Sequence, residues 1–121
     1  MPDAAVDEAA LGELLETVGG DRAFLAELVE SYLADSPGLL AEMLGAAVAG
    51  DAASLRRAAH TLKSTSASLG APGLAGACRE IETRAAAGEL DGLTGRIDLA
   101  ATEFAAVALA LRARIGAPEP A

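Results

Sequence analysis

Residues 51–71, Asp51-Ala-Ala-Ser-Leu-Arg-Arg-Ala-Ala-His60-Thr-Leu-Lys-Ser-Thr-Ser-Ala-Ser-Leu-Gly-Ala71, hold the only histidine of the 121-residue chain. At about 100° per residue, a helix through this stretch places Leu55, Ala58, Leu62, Thr65 and Leu69 on one face. His60 falls on the opposite face, where its neighbours are Arg56, Arg57, Lys63, Ser64 and Ala67. The imidazole therefore stands among cations and small side chains. That is a poor position for a core residue and a good one for a reactive group.

Charge marks the same region. The chain has 9 Lys/Arg against 18 Asp/Glu, a net charge of −9. Between Ala52 and Arg79 there is no carboxylate, only Arg56, Arg57, Lys63 and Arg79, so this segment is +4 and the remainder carries −13. A basic island around one exposed histidine, on an otherwise acidic protein, suits an anion or an acidic partner. The acidic balance argues against nucleic acid and against anionic membrane surfaces.

The flanking sequence reads as helix throughout. Hydrophobic residues reach 52%, but with two Phe, one Tyr and no Trp the weight falls on Ala and Leu, which favour helices that approach closely. A first short helix spans Asp7 to Val18 on Leu11, Leu14, Leu15 and Val18, and Gly19-Gly20 stops it. Asp21 caps a second helix with an apolar stripe of Phe24, Leu25, Leu28, Val29 and Leu33. Ser36-Pro37 then predicts either a kink within one long helix or a restart from Pro37 to Val48. Leu39, Leu40, Met43, Leu44 and Val48 continue the stripe as far as Gly50.

Asp51 is a suitable N-cap for the His-bearing helix, which Gly70-Ala71-Pro72 closes. The next helix runs to about Ala87 on Leu74, Ala77, Cys78, Ile81 and Ala85. A last helix runs from about Leu90 to Ile115 through Leu93, Ile97, Phe104, Val107 and Leu111. The expected fold is all-α: an antiparallel up-down four-helix bundle with an additional short N-terminal helix. It forms a single domain over residues 1–121, with a core of about 7–115 and a flexible tail at 116–121.

The stretch Ala59-His-Thr-Leu-Lys-Ser-Thr-Ser-Ala-Ser-Leu-Gly-Ala71 resembles the signature of histidine-containing phosphotransfer (HPt) domains. There a His is followed by Leu at +2, Lys at +3, small residues at +4 to +6 and Gly at +10. Here these are His60, Leu62, Lys63, Ser64-Thr65-Ser66 and Gly70. The resemblance covers most of the chain, from VGGDRAFLAELVESYLADSP upstream to LAGACREIET downstream. Ser64 departs from it, standing where the family most often has Gly. Serine is still small, so close approach of a partner is preserved and the position can tune partner choice.

The resemblance implies that His60 is phosphorylated, that Lys63 offsets the phosphoryl charge, and that Glu82 on the following helix hydrogen-bonds the imidazole. Docking residues around His60 are Arg56, Arg57, Ser64, Ala67 and Gly70, although the two arginines equally suit a solubilising role and Gly70 a close approach or helix end; the resemblance places the first short helix and the start of the second nearby. The partners it implies are the receiver domains of a hybrid histidine kinase and of a response regulator. No cofactor is expected on this chain, because Mg²⁺ would be held by the receiver's acidic pocket and one His with scattered carboxylates makes no metal site. With no ATP-binding glycine motif, no kinase activity of its own is expected.

A non-catalytic helical adaptor that docks receiver or kinase domains without phosphotransfer is the alternative. A hydrolase built on Cys78 or His60 is set aside, because thiol and imidazole fall on unrelated faces. One cysteine excludes an internal disulfide, the acidic N-terminus lacks a secretory pattern, and no apolar run reaches bilayer length. The chain is thus expected to be a cytoplasmic, monomeric, stand-alone shuttle.

Overall fold

A computed structural model describes residues 5–115 and shows five α-helices and, among those residues, no strand. The segment 116–121, expected to be flexible, lies outside the described residues. Helices α1 (Glu8–Thr17), α2 (Arg22–Ala49), α3 (Ala52–Ser68), α4 (Pro72–Ala86) and α5 (Leu93–Arg114) follow one another through short turns. Helices α2 to α5 form the bundle: α3 lies between α2 and α4, and α5 closes the ring against both of them. Of the described residues, no helix is long and apolar enough to cross a membrane.

Local chemistry sets the boundaries. Asp7, Asp21 and Asp51 cap α1, α2 and α3 by accepting backbone N–H groups of the first turn. Gly50, with φ +74°, supplies the left-handed residue that ends α2. Pro72 opens α4 at its first turn, where a missing N–H costs nothing. The last helix starts at Leu93 rather than Leu90, because Asp91-Gly92 forms a turn there and Gly92 adopts φ +78°.

Pro37 lies inside α2, which continues through it for 28 residues without a restart. The seam that α2 buries comprises Val29, Tyr32, Leu33, Ser36, Leu40, Met43 and Ala46. Phe24, Leu44 and Val48, expected in the stripe, are exposed instead. They sit at the flanks of an apolar arc wider than the seam its neighbours cover. Opposite that seam, Leu55 and Leu62 of α3 are fully buried, and each contributes roughly 1.5–3 kcal/mol.

Helix α1 packs across the end of the bundle and is held at its first turn. The Asp7 N–H donates to the Gly70 carbonyl at 2.6 Å, and Glu8 pairs with Arg114 of α5. Gly70 has φ +78°, and a Cβ there would stand 3.1 Å from the Asp7 carbonyl oxygen. Glycine is needed on both counts.

Candidate phosphoryl-acceptor site

Helix α3 carries the site, and its start is well fixed. Asp51 accepts the Ser54 N–H at 3.1 Å and the Ser54 hydroxyl at 2.7 Å. The Ser54 hydroxyl, more than any other group, holds the Asp51 carboxyl below its ordinary range. Leu55, Ala58, Ala59, Leu62 and Ser66 are buried. Ala59, with no side chain beyond Cβ, lets α4 pack closely beside the histidine.

His60 points outward, its side chain 57% exposed. One ring nitrogen is already engaged: Nδ1 lies 2.8 Å from Glu82 Oε2 on α4. The other oxygen of the same carboxylate, Oε1, lies 2.7 Å from Lys63 Nζ. Glu82 is only 18% exposed. Burial pushes its carboxyl up, but hydrogen bonds from Lys63 and His60 and their charges outweigh burial and hold it below the usual carboxylate range.

An ionised carboxylate can only accept, so Nδ1 must be the donor. In the neutral ring the proton is then on Nδ1, and Nε2 presents its lone pair away from α4. This arrangement offers a nucleophilic nitrogen with a counter-charge behind the ring. Phosphoryl transfer, which depends mainly on positioning and electrostatics, needs little more from a carrier.

The other expected site residues divide. Arg56, Arg57, Ser64 and Ala67 are exposed on the His60 side of α3, and Arg57 donates to the Ser54 hydroxyl at 3.4 Å. Gly70, expected on the docking surface, is buried beneath α1 and belongs to the packing of the bundle end. Cys78 is fully buried. Burial, aided by Glu103 and Glu82, pushes its thiol up to about 12, so it is no nucleophile at neutral pH. Among the described residues, no group of three or more His, Cys, Asp or Glu could hold a metal ion.

Two features were not anticipated from the sequence. The ion pair between Lys63 and Glu82 depends on the register of α3 against α4, which no helical pattern reveals. The second is a groove of about 360 Å³ where α1, α2 and α3 meet, lined by Leu14, Leu28, Leu39 and Leu69 and edged by Thr61 and Ser64 beside His60. Its signal in the sequence was the leucines of three separate helices.

No curated protein sequence matches this chain. The crystal structure of histidine-containing phosphotransfer protein B from Pseudomonas aeruginosa PAO1 is similar to it, with a TM-score of 0.86 and 30% identity. That match covers 98% of this chain and 100% of the other. Residues 27–115, which include His60, Lys63 and Glu82, match the Hpt domain family, and the chain belongs to that family.

Proposed function

We propose that the protein is a phosphorelay carrier that takes a phosphoryl group onto His60 Nε2 from a receiver-domain aspartate of a hybrid histidine kinase. It then passes the group to the aspartate of a response regulator. The observation that carries this reading is the exposed imidazole held through Nδ1 by Glu82, at 2.8 Å.

In the forward step the P–O bond of the aspartyl phosphate breaks, an N–P bond to Nε2 forms, and the receiver's carboxylate leaves. The ring keeps its Nδ1 proton and becomes an imidazolium, whose charge the Glu82 carboxylate balances. Reversal at the second receiver returns the same proton arrangement. The phosphoryl group brings about two negative charges. Lys63, one turn from His60, supplies positive charge beside it, as do Arg56 and Arg57. Mg²⁺ belongs, on this reading, to the receiver's acidic pocket. The groove beside His60, edged by Ser64, gives the receiver a docking surface.

The test is incubation with a receiver domain carrying a labelled phosphoryl group on its aspartate, comparing wild type with His60→Ala. Acid-labile, base-stable label on wild type alone is the expected result. Absence of label from both proteins, across several receivers of the same cell, would favour an adaptor that docks without transfer. Equal label on both would place the acceptor elsewhere.

A further inference from the structure

Within one turn of His60, helix α3 carries the hydroxyls of Thr61 and Ser64. Thr61 donates back to the Arg57 carbonyl at 3.1 Å, as Thr65 does to that of Thr61, so both are occupied within the helix. Ser64 is exposed, and among the described residues its hydroxyl has no hydrogen-bond partner. This is the position at which the chain carries an oxygen where the family most often has Gly.

Helical geometry sets Lys63 and Ser64 on opposite sides of the histidine. At about 100° per residue, Lys63 is rotated about 60° from His60 in one sense and Ser64 about 40° in the other. The Lys63 side faces α4, because Nζ reaches Glu82 there. The Ser64 side faces the groove shared with α2, whose edge it forms. His60 Nδ1 is held on the α4 side, 2.8 Å from Glu82, so Nε2 is turned away from α4, on the side of Ser64. Helical side chains lean towards the N-terminus, which brings the Ser64 hydroxyl over the turn that carries His60. Cβ atoms four residues apart are about 5–6 Å from one another, a gap that the imidazole and a phosphoryl oxygen bridge.

We propose that Ser64 donates a hydrogen bond to the phosphoryl group on His60 Nε2, holding it from the groove side while Lys63 acts from the α4 side. The proposal rests on the phosphotransfer reading of His60 and adds to it a residue that holds the transferred group. Lys63 is shared with Glu82 at 2.7 Å, and Arg57 is turned back to the Ser54 hydroxyl. A phosphoryl group has three strong acceptor oxygens, and a neutral O–H satisfies one of them without adding charge to the surface. Ser64 Oγ forms no bond to phosphorus. The N–P bond forms and breaks at Nε2 alone, and the serine proton stays on its own oxygen. What Ser64 changes is the stability of the phosphorylated carrier, since a hydrogen bond to an anionic oxygen is stronger than one between neutral groups.

The experiment loads wild type, Ser64→Ala and Ser64→Cys with phosphoramidate, which needs no docking. Its P–N bond breaks, ammonia leaves and Nε2 takes the phosphorus, while Nδ1 keeps its proton. Cysteine keeps the shape of serine and replaces a good donor by a weak one. At equilibrium with a phosphorylated receiver, the ratio of phosphohistidine to aspartyl phosphate is expected to fall about threefold in both variants, the size of one net hydrogen bond at an exposed site. Docking rates do not enter that ratio. Without a receiver, the phosphorus NMR resonance of the phosphohistidine should shift in both variants.

A wild-type ratio and resonance in Ser64→Ala would overturn the proposal. Wild-type behaviour of Ser64→Cys would do so as well, because it would trace the effect to shape instead of donation. Acid-stable label that disappears in Ser64→Ala would make the serine a second acceptor in place of a donor. If phosphoramidate and receivers all leave wild-type His60 unlabelled, the phosphotransfer reading falls and this proposal with it. A labelled wild type with unaltered variants fails this proposal alone.

Discussion

Lys63 and Glu82 form an ion pair across α3 and α4, Nζ to Oε1 at 2.7 Å. The carboxylate that orients the histidine is therefore itself oriented, through its second oxygen, by a residue one turn from that histidine. Lys63 has two possible partners on this surface, the carboxylate now and a phosphoryl group on His60 once transfer has occurred. Its side chain is 26% exposed, and it stands one turn from His60 on the same helix.

Glu82→Ala should slow phosphoryl acceptance by about 10- to 100-fold, the equivalent of losing a charged hydrogen bond of roughly 1.5–3 kcal/mol. Glu82→Gln retains an acceptor for Nδ1–H but not the charge that balances the imidazolium, so its rate should fall between those of wild type and Glu82→Ala. Single-turnover transfer from a phosphorylated receiver measures both. Equal rates in wild type and Glu82→Ala would mean that the Nδ1 contact does not prepare the ring.

Lys63→Ala should raise the Glu82 carboxyl, because burial remains while the strongest opposing hydrogen bond is gone. In wild type the folded-state value lies below the ordinary one. Glu82 ionisation therefore contributes stability that is present above about pH 4.3, the ordinary Glu value, and is lost as pH falls through the depressed folded value. In Lys63→Ala the folded value moves up towards the ordinary one, so this contribution should shrink and its pH window should end at higher pH. Carboxyl ¹³C titration of Glu82, with thermal unfolding at each pH, tests this; an unmoved titration would remove Lys63 as its cause.

Gly70→Ala should cost about 1–3 kcal/mol, since the residue holds φ +78° and its new Cβ would crowd the Asp7 carbonyl. The effect should fall on stability, with α1 loosened from the bundle end, and not on the chemistry at His60. Denaturant unfolding and phosphoramidate labelling separate the two. Unchanged stability with impaired receiver docking would return Gly70 to the docking surface.

The helix pattern of Asp51–Ala71 was enough to place His60 outside and Leu62 inside, because 3.6-residue periodicity fixes faces within one helix. Capping aspartates and turn glycines located most helix ends for similarly local reasons. What local pattern does not carry is the rotation and height of one helix against another. The identification of Glu82 came from the family resemblance, and its distance from His60 became visible only with α3 and α4 packed. Leu44 and Val48 are exposed for the same reason: an apolar side chain at the edge of a stripe is buried only if a neighbour covers it. Sequence alone leaves Gly70 between a partner surface and a close approach, and α1 lying over it decides for the second.

Tyr32 and Ser66 supply the last test, since they join α2 to α3 through a buried hydroxyl pair at 2.8 Å. Burial pushes the tyrosine hydroxyl up to about 12, so it stays neutral and either oxygen can donate. Tyr32 also packs edge-on against Phe104 of α5, with ring centroids 5.7 Å apart, so one side chain ties three helices together. Tyr32→Phe keeps that ring contact and removes only the hydroxyl. Each of Tyr32→Phe and Ser66→Ala should cost about 1–3 kcal/mol by leaving the other oxygen buried without this partner. The double variant leaves neither oxygen, so it should be destabilised by less than the sum of the two. A coupling of about 0.5–1.5 kcal/mol in the double-mutant cycle is expected, read from denaturant midpoints at constant slope. Additive losses would show that the two hydroxyls do not depend on each other, and α3 would then be held against α2 by its apolar contacts alone.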